Sequence, residues 1–435
     1  MRRMLFRSRL IKNVSWIFFG NVMHSFLQFL LNIYVARKLT LASNGIINYS
    51  TALITFFSAI ASLGYGSTIT KEFSTHKEKK ADYLCSCMGS YAGCGLLCMA
   101  ALQVIIRVLN PGEPQLYLVS FCQSTTIVFN AMNLFVYWFR YENKANVVAI
   151  MRLAAFFISA LWRVAVLNLA DPLVLYVCGT AAEVLFFGLF MAVLFVRQNR
   201  GSFKYSFSIS LEVLKHSYPF IFASILISVY GQADRVMLKS MINAEAVALY
   251  SVSALLAGAL SMIPTSLIEA FRPDIMEYKL TNEELYQTRF RQLYCIIFWA
   301  SALYGLFVTI FARQIILLLY GQKYIEAVPS LALIVWYSAF SYFGSVNNMF
   351  MVAEGKSRWV QVTTFAGALG NIVLNAVLIP PMGIVGAALA SLLTQVLTNF
   401  LMMWIIPDLK KGFYLLCKGI AFRDVIPDRI LRKRP

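Results

Sequence analysis

Apolar runs of membrane length, separated by short polar breaks, set the pattern of this chain. Twelve such runs can be drawn, at 13–36, 45–69, 84–108, 116–138, 147–169, 172–196, 217–238, 246–270, 292–318, 328–352, 360–380 and 384–406. Each is long enough to cross a bilayer as a helix. The breaks carry turn chemistry: Asn110-Pro111-Gly112-Glu113-Pro114, Asp171-Pro172, Gly321 and Pro380-Pro381-Met382-Gly383. The first run is not uniformly apolar. At about 100° per residue, Asn21, His24, Ser25, Gln28 and Asn32 fall on one face of it. An unpartnered amide in hydrocarbon costs several kcal/mol, so this line must meet protein or a water-filled cavity. It serves either to hold a neighbouring helix or to line a route for a polar solute. The seventh run has a similar face of Ser217, Ser224, Ser228, Gly231 and Arg235, with Gln232 beside it.

The two halves echo one another. Lys12 and Lys215, Arg37 and Arg235, and Tyr49 and Tyr250 stand 203, 198 and 201 residues apart. A repeat of six spans keeps its direction through the membrane, so the copies are parallel repeats. The expected organisation is all-α: an N-terminal six-helix lobe over 1–196, an interlobe linker over 197–216, a C-terminal six-helix lobe over 217–406 and a basic tail over 407–435. The lobes are expected to face a central polar cavity. The linker is expected along the inner membrane surface, with Phe203, Phe207, Leu211 and Leu214 as one helical face. The tail, with Leu409, Phe413, Leu416 and Ile420 on one face, reads as a surface helix on anionic lipid.

Composition agrees with a bilayer setting. The chain of 435 residues is 59% hydrophobic and 13% charged, about half the charged share of a soluble domain. The net charge of +18 does not point to nucleic acid, because the cations stand at span ends instead of in a patch interleaved with aromatics. Of the 38 Lys and Arg, 30 fall on one side and 8 on the other, which places both termini inside. The basic lead Met1–Lys12 runs into a segment longer than a signal-peptide core, so it is expected to be a retained first span. Eight cysteines and three histidines show no metal-ligand spacing. No phosphate-binding glycine loop or hydrolytic cluster is present, so neither an enzyme nor a cofactor is expected.

Charged groups inside the runs are the candidate sites. Glu183 in the sixth run and Arg163 in the fifth differ little in depth; they form an ion pair, or Glu183 couples transport to a proton or cation. Asp234 is either a local partner of Arg235 or turned away from it. Arg37 and Arg235 mark the outer ends of the first and seventh runs, as interfacial anchors or as a phosphate clamp. Asn371 and Asn375, and likewise Gln395 and Asn399, are i, i+4 pairs that line a cavity or join helices.

The sequence resembles the lipid-linked oligosaccharide flippases of O-antigen and capsule synthesis, within the multidrug/oligosaccharidyl-lipid/polysaccharide exporter superfamily. The resemblance rests on Lys12-Asn13-Val14-Ser15-Trp16 with Gly20-Asn21, Val35-Ala36-Arg37-Lys38-Leu39, Leu63-Gly64-Tyr65-Gly66, Asp234-Arg235-Val236-Met237-Leu238 and Tyr320-Gly321-Gln322-Lys323-Tyr324. It implies a V-shaped, MATE-like transporter of the bacterial cytoplasmic membrane. The implied substrate is an undecaprenyl-diphosphate oligosaccharide carried to the outer leaflet by alternating access. A polysaccharide polymerase and a chain-length regulator are the partners it suggests. The sequence departs from the family at Thr40, where a glycine is common, and at Leu31-Asn32, where the peptidoglycan-precursor branch carries charge. A cation-coupled drug exporter of the same fold and a membrane glycosyltransferase or polymerase are the alternatives.

The charge asymmetry makes a topological prediction. Reporter fusions placed after Asn110 and after Lys323 read outside, and one after Lys79 reads inside; the reverse pattern overturns the assignment.

Overall fold

In the computed structural model, described here over residues 2–199 and 203–421 with side chains from residue 19 onward, the regular structure of the described residues is helical. The chain divides into two compact units, Met1–Gln232 and Ala233–Pro435. The first holds α1 (Arg2–Lys38), α2 (Leu41–Ala61), α3 (Tyr65–Thr75), α4 (Lys80–Leu109), α5 (Pro114–Phe129), α6 (Leu134–Tyr141), α7 (Ala145–Val166), α8 (Leu173–Gln198) and most of α9 (Phe207–Met241). The second holds the end of α9, then α10 (Ala244–Ala257), α11 (Met262–Thr281), α12 (Glu283–Leu319), α13 (Val328–Ala353), α14 (Arg358–Val396), α15 (Met402–Ile405) and α16 (Lys410–Ile420).

Among the described residues, nine helical stretches are long and apolar enough to cross a membrane, ten if the bent pair α10–α11 is one span. Their outer faces are apolar. Leu97, Val104 and Val108 stand exposed on one side of α4, and Leu303, Leu306, Phe307 and Ile310 on one side of α12. Leu161 is 73% exposed and Leu318 74%. Such stripes at helical spacing are stable only against hydrocarbon. The protein is a multi-pass integral membrane protein.

The breaks depart from the expected segments in two places and agree with them in a third. The expected run 45–69 is two helices, parted at Leu63 and Gly64, whose φ angles are 49° and 67°. A Cβ on Gly64 would stand 2.6 Å from the Ser217 carbonyl oxygen, so only glycine admits α9 this closely. The expected run 246–270 extends to Thr281 and bends by 42° between α10 and α11. The break expected at Pro380-Pro381-Met382-Gly383 is present: α14 is two helices that meet at a kink at Gly383 (φ 60°, ψ −133°).

The segment expected on the inner surface is also different. Its second half is the start of α9, and its apolar face points away from the protein: Phe207 is 68% exposed and Leu211 43%. Ser210, Val213 and Ser217 are buried instead. Ser210 Oγ donates to the Ser86 carbonyl (2.8 Å), and the hydroxyls of Thr68 and Ser217 meet at 2.6 Å. Small hydroxyl side chains let the helices approach and satisfy one another where longer apolar ones would hold them apart.

The tail helix is a further correction. Leu409 and Leu416 are buried, and Phe413 and Ile420 pack on the same cluster, which includes Phe290, Tyr294, Phe350 and Met403. The apolar face of α16 therefore rests on protein, not on lipid. Residues 422–435 of the expected basic tail lie outside the described residues. Glycines set the fit: a Cβ on Gly419 would stand 2.8 Å from the Arg291 carbonyl oxygen, and one on Gly412 2.8 Å from the Phe350 ring. An ionic cluster closes the edge. Glu354 Oε1 accepts from Lys279 (2.7 Å), Lys411 (3.0 Å) and Tyr286 (3.0 Å), and Lys411 also donates to Glu283 (2.7 Å). Burial alone would raise the Glu354 carboxyl; the donors of Lys279, Lys411 and Tyr286 prevail and hold it at about 2.

Two consequences can be measured by thermal unfolding of the full chain in detergent. Gly419→Ala forces the added methyl onto backbone and costs about 1–3 kcal/mol; an unchanged midpoint would show that α16 is not docked as described. Because the folded carboxyl lies below its ordinary value of 4.5, the Glu354 contribution is present above that pH and is lost as pH falls towards about 2. Glu354→Gln removes that part of the acid sensitivity.

Candidate functional site

In the first unit, one face of α7 carries Arg152, Phe156, Ser159 and Arg163, at i, i+4, i+7 and i+11. Arg163 is only 1% exposed. It reaches Glu183 on α8 through Nη2, at 2.5 Å from Oε2, and donates to Ser159 Oγ at 2.9 Å. Ser159 Oγ lies 3.2 Å from Glu183 Oε2. The other carboxylate oxygen of Glu183 is 3.0 Å from His24 Nε2 on α1. The His24 ring also stands edge-on to Phe156, centroids 5.4 Å apart. Gly179 on α8 provides the room, since a Cβ there would lie 2.7 Å from Arg163 Cγ. The expected ion pair is thus present, and His24 and Ser159 complete it. A guanidinium buried in a helix bundle needs such a carboxylate.

This arrangement also locates the polar line of α1. His24 is spent on helix contact. Gln28 is half-buried, with its Oε1 buried and without a hydrogen bond among the described residues. Asn21 and Asn32 are half-buried and Arg37 is exposed at the end of the helix. In the first unit's part of α9, Ser228 and Gln232 are half-buried.

The second unit has its own buried carboxylate. Asp234 is 6% exposed. Its Oδ1 accepts from Asn375 Nδ2 (2.6 Å), and its Oδ2 from Ser391 Oγ (2.7 Å) and from the Tyr250 hydroxyl. Asn375 also donates to Asn371 Oδ1 (3.1 Å), and Asn371 lies 3.4 Å from Ser391 Oγ. Asp234 is therefore turned into the α9–α10–α14 contact, while Arg235 Nε donates to Ser251 (3.0 Å). Every hydrogen-bond partner of Asp234 is neutral. Carboxylate, amide and hydroxyl oxygens gathered in one place are the donor set of a hard cation, and Asn375 Oδ1 is buried there without a donor. The pair Gln395 and Asn399 joins helices: Asn399 hydrogen-bonds Gln395 and donates to the Phe340 carbonyl (3.1 Å) across a π-turn at Leu397–Leu401.

Sequence reasoning found both carboxylates and Asn371 and Asn375. It missed Ser159 and Ser391, single hydroxyls with no motif around them, and took Tyr250 only as a landmark of the internal repeat. It also passed over Arg152, although the seven-residue step from Arg152 to Ser159 was visible.

The Arg163–Glu183 geometry has a direct test. Glu183→Gln strands a buried guanidinium and costs about 3–5 kcal/mol, lowering the yield of folded protein. Adding Arg163→Gln recovers much of it. Equal yields for the single and double variants, read by size-exclusion chromatography, would refute the coupling.

Comparison with known proteins places the chain. Its residues 10–279 match the family described as polysaccharide biosynthesis protein. The lipid II flippase MurJ of Bacillus subtilis is 28% identical over 214 residues, 44% of this chain. That match spans only 38% of the length of the relative. The probable flippase AglR of Haloferax volcanii is 23% identical over 407 residues, covering 90% of this chain and 82% of that one. Among solved structures, a lipid II flippase MurJ in an inward closed conformation is similar with a TM-score of 0.72 at 14% identity, covering 93% of this chain and 90% of that one. An inward-facing multidrug resistance MATE family transporter of the MOP superfamily gives 0.64 at 14% identity, covering 92% and 96%. At such identities the structural likeness speaks for the fold. With the family match spanning most of the chain, this protein belongs to the polysaccharide biosynthesis protein family.

Proposed function

We propose that the protein is a flippase that moves polyprenyl-diphosphate-linked oligosaccharide repeat units from the inner to the outer leaflet of the bacterial cytoplasmic membrane by alternating access, with both termini in the cytoplasm. The family match over residues 10–279 carries this reading. The flippase named among the relatives, aligned over 90% of the chain, supports the class. A sugar headgroup needs polar contacts across hydrocarbon, and Asn21, Gln28, Asn32, Ser228 and Gln232 are half-buried amide and hydroxyl groups that suit it. Arg37 and Arg235 remain candidate contacts for the diphosphate.

Coupling is better assigned to Asp234 than to Glu183. Glu183 is neutralised by Arg163 at 2.5 Å, whereas the partners of Asp234 are neutral hydroxyl and amide groups. A buried carboxylate held only by neutral hydroxyl and amide groups is the place in the spans where a coupling cation would find an uncompensated negative charge. The same feature would serve a cation-coupled drug exporter, so the test must read the cargo.

Lipid-linked sugars extracted from a deletion strain should accumulate at the inner leaflet, and the intact gene should clear them. Asp234→Asn, which keeps the shape of the side chain, should fold normally and clear them at least about tenfold more slowly, about 1.4 kcal/mol on the barrier. Unchanged lipid-linked sugars in the deletion strain, with altered drug resistance, would favour the exporter.

A further inference from the structure

Where α3 meets α4, the first unit carries a cluster of titratable groups that neither the Arg163–Glu183 pair nor Asp234 uses. Glu72, near the end of α3, has a side chain only 5% exposed. A carboxylate removed from water needs counter-charge. Among the described residues its ion-pair partners are both histidines, and no lysine or arginine stands at ion-pair distance from it. His216 Nδ1, on α9, lies 3.1 Å from Oε1, and His76 Nε2, just past the end of α3, lies 3.8 Å from Oε2. His76 Nε2 is also 3.9 Å from Oε1 of Glu212, one turn before His216 on α9. Tyr83 of α4 completes the set. Its ring stacks on His76 with centroids 4.6 Å apart, and its hydroxyl donates to Glu212 Oε2 (3.2 Å).

Glu72 and His76, and likewise Glu212 and His216, are i, i+4 pairs, so the two helices present the same carboxylate–imidazole step to one another. The other charged groups nearby are turned elsewhere or stand in water. Lys80 is bound to Glu142, and Asp82 accepts from the Lys204 amide (2.8 Å). Lys71 and Lys215 are exposed and lie about 100° round their helices from Glu72 and His216. Lys77, Glu78 and Lys79 are exposed in the turn between α3 and α4. Buried Cys87, one turn along α4 from Tyr83, is an uncharged thiol at neutral pH.

The charge balance of Glu72 is therefore set by two side chains of a kind that ordinarily changes charge between pH 5 and 8. Both reach water: the side chain of His76 is 35% exposed and that of His216 55%. With both protonated, two imidazolium rings face two carboxylates across the α3–α9 contact. With both neutral, the buried carboxylate faces a second one across His76 and is held by hydrogen bonding alone. We propose that Glu72, His76, Glu212 and His216 form a pH-sensitive clamp that fastens the start of α9 to α3 and α4, closed when the histidines carry charge and loosened as they lose it. Its contribution is present below the histidine range and is lost as pH rises through it. The first unit ends at Gln232, within α9, so the clamp sets how firmly the first turns of that helix stay with the unit. Under the topology proposed above, the pH it senses is that of the cytoplasm. The clamp does not depend on the cargo.

The test is hydrogen–deuterium exchange of the purified full-length chain in detergent, read by mass spectrometry on peptides covering residues 204–217. Protection is taken relative to the unstructured peptide at the same pH, which cancels the chemical pH dependence of exchange. In the wild-type chain, protection of this segment should fall at least about threefold between pH 6 and pH 8.5. In the double variant His76→Gln/His216→Gln it should be the same at both values and match the wild type at pH 8.5. His216→Gln alone should show a smaller fall than the wild type. Glu72→Gln should remove most of the fall. Should Glu72→Gln or the double variant fail to fold, His216→Gln still decides, because its side chain is half exposed. Wild-type protection that is constant between the two pH values, or that rises with pH, overturns the clamp and leaves the histidines as packing residues. An undiminished fall in His216→Gln overturns it as well. Each of these results leaves the flippase reading untouched.

Discussion

A charge in hydrocarbon must find its counter-charge within the protein, and the packing of the first unit follows from how Arg163 does so. Its guanidinium is buried between α7 and α8, joined to Glu183 directly and to Ser159 on its own helix. Glu183 in turn draws in His24, and with it α1. One ion pair thus fixes the rotation of three helices about their axes. Without hydrophobic contrast between side chains and lipid tails, such directional contacts decide which faces meet. The small residues follow from the same requirement. Gly179 leaves space for the arginine stem, and Gly20 lets α1 come down on α7.

The second unit meets the constraint with neutral groups. Asp234 is surrounded by Tyr250, Asn375 and Ser391. Further along, Tyr294 donates to Asn347 Oδ1 (2.6 Å), and Asn347 Nδ2 donates to the Asn399 carbonyl (2.9 Å), which the π-turn leaves available. At the edge charge meets charge, where Glu354, Lys279 and Lys411 clamp α16. There burial opposes the Glu354 charge, and the donors of Lys279, Lys411 and Tyr286 acting together outweigh it.

How much could be read in advance varies with the kind of signal. Segment lengths and the Pro and Gly breaks were legible because the bilayer imposes a length and the backbone a turn chemistry. The ion pair was legible because charges are rare inside the spans. The partner faces were not. Phe207 and Leu211 look like a packing face, yet Ser210, Val213 and Ser217 are the buried ones. In lipid, apolar side chains gain little by turning inward, and small ones gain close contact. The same blindness misplaced α16: an amphipathic helix has the same pattern whether its apolar side meets lipid or Phe350 and Tyr294. The hydroxyls at 159 and 391 escaped because serine is common in such helices and only the fold brings them to a carboxylate, as it does Tyr250, which the sequence marked only as a repeat landmark.

The two arginines on one face of α7 sharpen the difference between a charge met by a carboxylate and one that is not. They share a helix, a face and a side chain, eleven residues apart. Arg163 is met by a carboxylate and a hydroxyl, and it is 1% exposed. Arg152 is half-buried, with its guanidinium 5.2 Å from the Phe187 ring. The first environment is complete, and any ligand would have to compete with an existing pair. The second has no carboxylate at ion-pair distance among the described residues, although Glu183 acts on it from further off. Placement along the helix accounts for the contrast. Arg163 lies deep in the span, where an unmatched cation would be prohibitive, whereas Arg152 lies near the helix start, where water and headgroups can stand in for the absent anion. Depth in the membrane therefore limits which charges such a helix can leave without an ion-pair partner.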